Sequence, residues 1–192
     1  MSRERSIPFP GMRIVLVFAI MLAAVEATAT AATPLSPAQV QGRAALEVGI
    51  ASELNRARAA RGLPALRTVS ILRSAARGHS RAMLELGFFA HDSANGKAFT
   101  ERIRRRYPSR GWEYWSVGEA LLAMTGERAE APALVAAWLD SRPHRRIILD
   151  PTWRDLGVGA FYAPSAPGEF GSSEAIVVTA DFGVRSGRAA AP

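Results

Sequence analysis

Residues 156 to 184 read LGVGAFYAPSAPGEFGSSEAIVVTADFGV, and this stretch decides the class of fold. Two apolar and β-branched runs, Leu156 to Tyr162 and Ile176 to Val184, flank a loop rich in Pro, Gly and Ser, which is the pattern of two strands. The longer helical patterns all lie earlier in the chain. Because helices come first and strands last, the order favours an α+β fold with an antiparallel sheet over a βαβ array.

The segments before these strands show apolar residues at helical spacing. One of them carries His79 on its apolar stripe and ends at Gly87, a C-terminal cap. Residues 112–124 mix aromatic and small residues, which fits a strand or an irregular segment. The predicted helices are residues 43–61, 69–86, 99–107, 132–140 and 144–149. The predicted organisation is a linker at 32–42, one domain at 43–185 and a flexible tail at 186–192.

The first 31 residues have the pattern of a secretory signal peptide. Three arginines precede an unbroken apolar run from Ile14 to Val25, and small-x-small cleavage sites follow at 27–29 and 29–31. An uncleaved membrane anchor is the alternative, although a span normally needs about 20 apolar residues. We therefore expect a secreted or periplasmic protein with no stable transmembrane span once the signal is cleaved.

The absence of cysteine and the positive net charge restrict the chemistry and the class of partner of the protein. The 192 residues include no cysteine, so disulfides, lipoprotein attachment and a cysteine nucleophile are excluded. The net charge is +7, and removal of residues 1–31 leaves 21 cationic and 15 anionic residues. An exported basic protein meets anionic envelope polymer rather than nucleic acid. The arginine-rich run at 102–110 is either a solvated face or a docking surface for such a polymer.

Several chemistries lack their motifs. The sequence has no His-Glu-x-x-His helix, no Gly-x-Ser-x-Gly elbow, no P-loop and no EF-hand loop. Gly157-Val158-Gly159 has no third glycine at the spacing that dinucleotide binding needs. These absences leave only dispersed polar residues as candidates for a site.

The strongest candidates are His91, Glu119 and His144. Two imidazoles and a carboxylate form a competent zinc site with a fourth position for water, and the same side chains could perform acid/base chemistry with Glu119 as the base. Spacing alone does not bring the three together. Weaker candidates are His79, which a buried core position also explains, Asp140 and Asp181.

Five segments occur together in order along the chain, and they suggest a family. They are Asn55-Arg56-x-Arg58-x-x-Arg61-Gly62-Leu63-x-x-Leu66, Gly87-Phe88-Phe89-Ala90-His91, Gly118-Glu119, Trp138-Leu139-x-Ser141-x-x-His144-Arg145-x-Ile147-x-Leu149 and Leu156-Gly157-Val158-Gly159. The set resembles the bacterial branch of the CAP superfamily, which comprises cysteine-rich secretory proteins, antigen 5 and plant pathogenesis-related proteins and is also called the SCP domain. The resemblance runs from about residue 50 to residue 184.

The resemblance implies a three-layer α-β-α sandwich and a central cleft lined by His91, Glu119 and His144. The chain departs from the family pattern at two cleft positions. Ser141 occupies the position at which animal and plant members have a second glutamate, and many bacterial relatives also have a serine there. Ala120 occupies the position at which an asparagine usually follows the Gly-Glu pair.

Three functions are compatible with these observations. The first is a non-enzymatic extracytoplasmic binding module whose cleft holds zinc or another divalent cation, a small or lipid-like molecule, or an envelope component. The second is a metal-dependent hydrolase that uses the same cleft. The third is an interaction protein that acts through its basic surface. Trp112, Tyr114 and Trp115 could stack on a ligand or form a cleft wall.

Overall fold

A computed structural model describes residues 34–126 and 129–188. The predicted signal peptide lies outside the described residues. The elements in chain order are β1 (Gln41–Gly42), α1 (Ala44–Ala59), β2 (Arg67–Thr68), α2 (Ser70–Leu86), α3 (Phe99–Arg106), β3 (Trp112–Met124), α4 (Ala131–Asp140), α5 (Arg142–Ile148), β4 (Asp155–Ala166) and β5 (Ser173–Arg188), with short 3-10 helices at Pro37–Gln39 and Gly168–Phe170.

The strands form one sheet in the order β1-β4-β5-β3, and every neighbouring pair on this path is antiparallel. The two-residue strand β2 lies off the path and pairs with β4 in parallel. The last two strands are joined as a hairpin, as the opening stretch predicts. The predicted α+β class with an antiparallel sheet is confirmed.

The sheet lies between two helical layers, because alternate strand residues face opposite sides. Val158, Ala160 and Phe182 pack with α1, α4 and α5 in the larger core. Leu121, Phe161 and Val177 face the other way and pack with α2. On that second side α3 adds Ile103 and Tyr107 against α2. The result is the α-β-α sandwich that the family resemblance implies.

Two glycines of β4 allow α2 to lie directly on the sheet. A Cβ at Gly157 would come within 2.1 Å of the backbone of Leu72, and a Cβ at Gly159 within 2.3 Å of the backbone of Arg77. No side chain fits between helix and strand at these distances. Close packing of α2 against β4 therefore explains the two glycines of the Gly157-Val158-Gly159 motif, without a nucleotide site.

Buried polar side chains fix the segment after α1. Arg58 is fully buried and donates hydrogen bonds to the carbonyl oxygens of Pro64, Ile148 and Asp150. Asn55 exchanges hydrogen bonds with the backbone of Leu66. These contacts tie the end of α1 to the end of α5, so the first motif of the family pattern is structural.

The structure extends several predicted boundaries. Residues 112–124 form a strand, β4 and β5 are longer than predicted, and Gly87 closes α2 with φ 71°. Part of the predicted linker is packed, since Gln41 and Gly42 pair with β4 and Val40 is buried. The predicted tail is too long at its start, because β5 continues to Arg188 and pairs with Trp112. Residues 186–188 are Ser, Gly and Arg, and they lack the apolar side chains by which the sequence pattern indicates a strand.

None of the helices among residues 34–126 and 129–188 is long and apolar enough to cross a membrane.

Candidate functional site

Glu119 and His91 form the centre of the site. Glu119 lies in β3 on the face toward α2 and α3, and its side chain is completely buried. His91 follows α2 in a loop, and 51% of its side chain is exposed. The Nδ1 atom of His91 lies 2.8 Å from Oε1 of Glu119. A buried carboxylate thus fixes the orientation of a half-exposed imidazole.

Arg102 of α3 binds the other oxygen of Glu119. Its Nη2 donates to Oε2 of Glu119 at 2.5 Å and to the carbonyl oxygen of His91 at 3.2 Å. Burial alone would raise the pKa of Glu119, but the hydrogen bond from His91 and the charge of Arg102 outweigh it and hold the pKa below its usual range. Glu119 is therefore ionised at neutral pH, and the Nδ1 atom of His91 is the donor in their hydrogen bond.

Asp181 faces Glu119 directly across the β3–β5 pair. It is fully buried, and burial together with the negative charge of Glu119 raises its pKa well above the usual range, although Arg102 opposes this. The nearest Arg102 nitrogen is 3.9 Å from Oδ2 of Asp181, too far for a hydrogen bond. Neither carboxyl oxygen accepts a hydrogen bond from a donor in the described chain. Burial and the neighbouring Glu119 carboxylate therefore favour the protonated form of Asp181.

His144 lies in α5, a helix of the opposite layer, and has no hydrogen bond to His91 or Glu119 in the described structure. Burial and the charge of His91 lower the pKa of His144, so its neutral form is favoured. Its Nδ1 atom is buried and has no hydrogen-bond partner among the described residues. The two imidazoles thus interact electrostatically, while only His91 contacts Glu119.

The weaker candidates have different roles. His79 is buried in α2, and its Nε2 atom donates to the carbonyl oxygen of Ala90 at 2.9 Å. Burial and the charge of Arg102 lower the pKa of His79 to about 4, so it remains neutral. This bond holds the backbone immediately before His91. Asp140 ends α4 and contacts none of these side chains in the described structure.

The donor set does not fit a tightly held divalent cation. Among residues 34–126 and 129–188, no three His, Asp or Glu side chains are placed to hold one metal ion. Both oxygens of Glu119 are already bonded, and one of them binds the cationic Arg102. A metal that used Glu119 as a ligand would have to displace a guanidinium. The prediction of zinc at this site stays a prediction without geometric support.

The arginine-rich run is not one surface. Arg102 points inward to Glu119, Arg104 lies 4.8 Å from the ring centre of Trp115, and Arg105 pairs with Glu101. Among the nearby aromatic side chains, Trp115 is fixed by the hydrogen bond that its indole nitrogen donates to the carbonyl oxygen of Tyr107, whereas Tyr114 is exposed. The interpretation of the run as a single solvated face is incomplete.

Arg102 is the site residue that sequence reasoning missed. It was grouped with its neighbours as one basic run, although only 15% of its side chain is exposed. Helical spacing indicates this position, because Arg102 lies three residues after Phe99 and therefore on the same face of α3. An arginine on the apolar face of a short helix indicates a buried carboxylate partner.

Comparisons with known proteins agree with this architecture. The model of the CAP family, described as the cysteine-rich secretory protein family, matches residues 51–182. The chain is similar in fold to the crystal structure of an extracellular protein containing a SCP domain from Bacillus anthracis str. Ames, with 24% identity and a TM-score of 0.56 over 78% of this chain and 44% of that one. It is also similar to an outer surface protein from Borrelia burgdorferi, with 20% identity and a TM-score of 0.53 over 71% of this chain and 90% of that one.

The family match covers more than half of the sequence, and the sheet order, the helical layers and the His91–Glu119 pair accompany it. The chain therefore belongs to the CAP family of cysteine-rich secretory proteins. It spans less than half of the Bacillus anthracis protein. No curated protein matches the chain.

Proposed function

We propose that the protein is an extracytoplasmic, non-enzymatic CAP-domain binding module that holds a small or lipid-like envelope ligand by a polar group at His91. The observation that carries the proposal is the hydrogen-bonded series Arg102–Glu119–His91, in which a buried ion pair orients a half-exposed imidazole. Burial of charge is costly unless the charge is paired, and here the pairing leaves one side of a partly exposed imidazole open to solvent.

The orientation of His91 defines what the site can contact. With Nδ1 bonded to Glu119, the Nε2 atom makes no hydrogen bond to the described chain and is available to a ligand. In the neutral ring this atom is an acceptor, so it suits a hydroxyl or amide group. Because Glu119 fixes the ring beforehand, binding at His91 costs little side-chain entropy.

The surrounding charge favours an anionic or oxygen-rich ligand. Arg145 and Arg146 are exposed beside His144 on α5, and the whole chain is basic. Positive potential at a cleft raises the local concentration of anions and opposes cations. A secreted or periplasmic protein would meet such groups on envelope polymers and lipids, and the similar structures named above are described as extracellular or outer surface proteins.

Thermal unfolding with separate probes tests the proposal. The purified protein is titrated with a fatty acid, with a soluble anionic fragment of envelope polymer and with ZnCl2. We expect one of the first two probes to raise the melting temperature, and His91→Ala to abolish the shift. Asp92→Asn, an exposed neighbour, is the matched control and should retain it.

The results separate the alternatives. A shift with ZnCl2 alone that disappears in His91→Ala/His144→Ala would favour the cation version of the module. No shift with any probe, or an equal shift in His91→Ala, would contradict binding at this cleft.

A second candidate is a hydrolase, and the His91–Glu119 pair is the observation in its favour. The geometry makes His91 the candidate base and Glu119 its orienting group, because the pKa of Glu119 is lowered and a general base works best near the operating pH. No serine or threonine hydroxyl of the described chain is hydrogen-bonded to His91, so water would be the nucleophile. Turnover of an ester or peptide library that disappears in His91→Asn would support this function.

A further inference from the structure

A second polar cavity lies on the outer face of α2. Its volume is about 420 Å³, and four arginines line it, namely Arg73, Arg77, Arg81 and Arg106. Small-molecule sites commonly measure roughly 300–1,000 Å³. None of the described residues that line this cavity is acidic.

Helical spacing aligns the arginines. Arg73, Arg77 and Arg81 recur every four residues of α2, so they lie on one face of the helix, with about 6 Å of rise between neighbours. Arg106 enters from the end of α3, one turn beyond the inward-facing Arg102. Cations from two helices therefore converge on one groove.

Only two of these cations have ion-pair partners in the described chain. Arg77 binds Glu47 and lies 4.9 Å from the ring centre of Phe161, so the neighbouring strand holds it in place. Arg81 lies 3.3 Å from Glu85. Arg73 and Arg106 have no acidic partner there. The groove thus combines a fixed arginine with two uncompensated charges.

The floor of the groove is made of small residues. Ser70, Ser74 and Gly78 follow at four-residue intervals and line the same cavity. Gly78 is exposed in the middle of α2, and a Cβ there would meet nothing within 4 Å. A glycine inside a helix costs roughly 0.5–1 kcal/mol relative to alanine, and packing within the described chain does not require one here. The glycine leaves space at the floor, next to the arginines.

We propose that this groove binds a ligand with two or more phosphate groups. Guanidinium groups bind phosphate oxygens through paired, charge-assisted hydrogen bonds, and the serine hydroxyls add neutral donors. Three arginines spread over about 12 Å of helix can contact phosphates that are several ångströms apart. The groove is separate from the His91 cleft, and its role does not depend on the function proposed for that cleft.

Calorimetric titration with sodium tripolyphosphate at low ionic strength tests the groove. We expect saturable binding that weakens with added salt and falls about tenfold or more in Arg73→Gln/Arg106→Gln. Arg56→Gln/Arg61→Gln removes the same charge from α1 and the turn that follows it, in the opposite layer, and should keep the affinity within about twofold. His91→Ala should also leave it unchanged. Both arginine pairs are exposed, so circular dichroism and melting temperature check that each variant is folded.

Sedimentation with vesicles distinguishes the source of the phosphate. Binding to phosphatidic acid vesicles but not to phosphatidylcholine vesicles, with loss in Arg73→Gln/Arg106→Gln, would assign the groove to lipid headgroups. Binding to tripolyphosphate without vesicle binding would assign it to a soluble phosphate ligand. The proposal is overturned if tripolyphosphate shows no saturable binding, or if both double variants lose affinity equally.

Discussion

The two faces of the central sheet differ although the same strands form both. The face toward α1, α4 and α5 is apolar, with Val178, Ala180 and Phe182 in succession along β5. The face toward α2 and α3 carries Thr179 and Asp181 at the alternate positions of that strand, and Glu119 opposite. Because side chains alternate along a strand, the strand register places the larger apolar core on one face and the charged site residues on the other.

The apolar face should show the largest effect of a single substitution. Trp138 of α4 is fully buried there, and its indole nitrogen donates to the carbonyl oxygen of Leu121 at 2.9 Å. Trp138→Ala removes this contact and leaves a cavity, so we expect a loss of about 3–5 kcal/mol in the free energy of unfolding. Urea denaturation measures it.

Trp138→Phe is the control for this prediction. It keeps most of the apolar contact and removes the indole hydrogen bond, so its cost should be clearly smaller than that of the alanine variant. Equal losses in the two variants would show that the hydrogen bond, rather than apolar burial, stabilises this side of the sheet.

On the polar face, α2 packs closely against β4 because the contact positions of the strand are glycines without side chains. Gly159→Ala places a methyl group against the backbone of Ala76 and Arg77, which cannot move independently of the helix. We expect a loss of about 3 kcal/mol, at the upper end of overpacking effects. Differential scanning calorimetry or urea denaturation measures the change.

Gly78→Ala tests the same substitution on the open side of α2. Its Cβ meets no neighbour, so the stability should rise by about 0.5–1 kcal/mol. If both glycine variants were tolerated equally, contact between the helix and the strand would not explain the Gly157-Val158-Gly159 motif.

The sequence predicts the apolar face better than the polar one. Helical and alternating patterns report burial of apolar side chains, so the five helices and the final hairpin were placed within a few residues. Family resemblance named His91, Glu119 and His144. Helical spacing places Arg102 on the same face of α3 as Phe99, but it does not identify Glu119 as the partner, because that contact depends on how α3 packs against β3.

The sequence also did not predict the roles of the site residues, because these roles depend on hydrogen-bond partners that only the fold brings together. The sequence suggests Glu119 as a metal ligand or base, but in the fold each of its oxygens already accepts a hydrogen bond, one from His91 and one from the cationic Arg102, and these bonds compete with both functions. Asp181 was a weak candidate because a lone aspartate in a strand has no distinguishing pattern. Only strand register places it opposite Glu119.

The smallest expected effect isolates the buried acid of the polar face. The folded protein raises the pKa of Asp181, whereas the unfolded chain titrates near the ordinary value of about 3.9. Below that pH both states are protonated. As pH rises above it, the unfolded state ionises while the folded state keeps its proton, so the contribution of Asp181 to stability falls until the folded pKa is reached.

Asp181→Asn should remove this loss, because the amide is neutral at every pH and can donate to the Glu119 carboxylate in place of the acid proton. We expect the variant to match the wild type near pH 3.5 and to be more stable than the wild type at pH 7, because only the wild type loses stability as the unfolded chain ionises. Urea denaturation at both pH values measures the difference.

Asp155→Asn is the contrast, because Asp155 is a buried carboxylate paired with Arg67 and Tyr107, and its loss should destabilise the protein at pH 7. A destabilised Asp181→Asn at pH 7 would contradict the raised pKa of Asp181, because it would indicate an ionised carboxylate that is stabilised by Arg102.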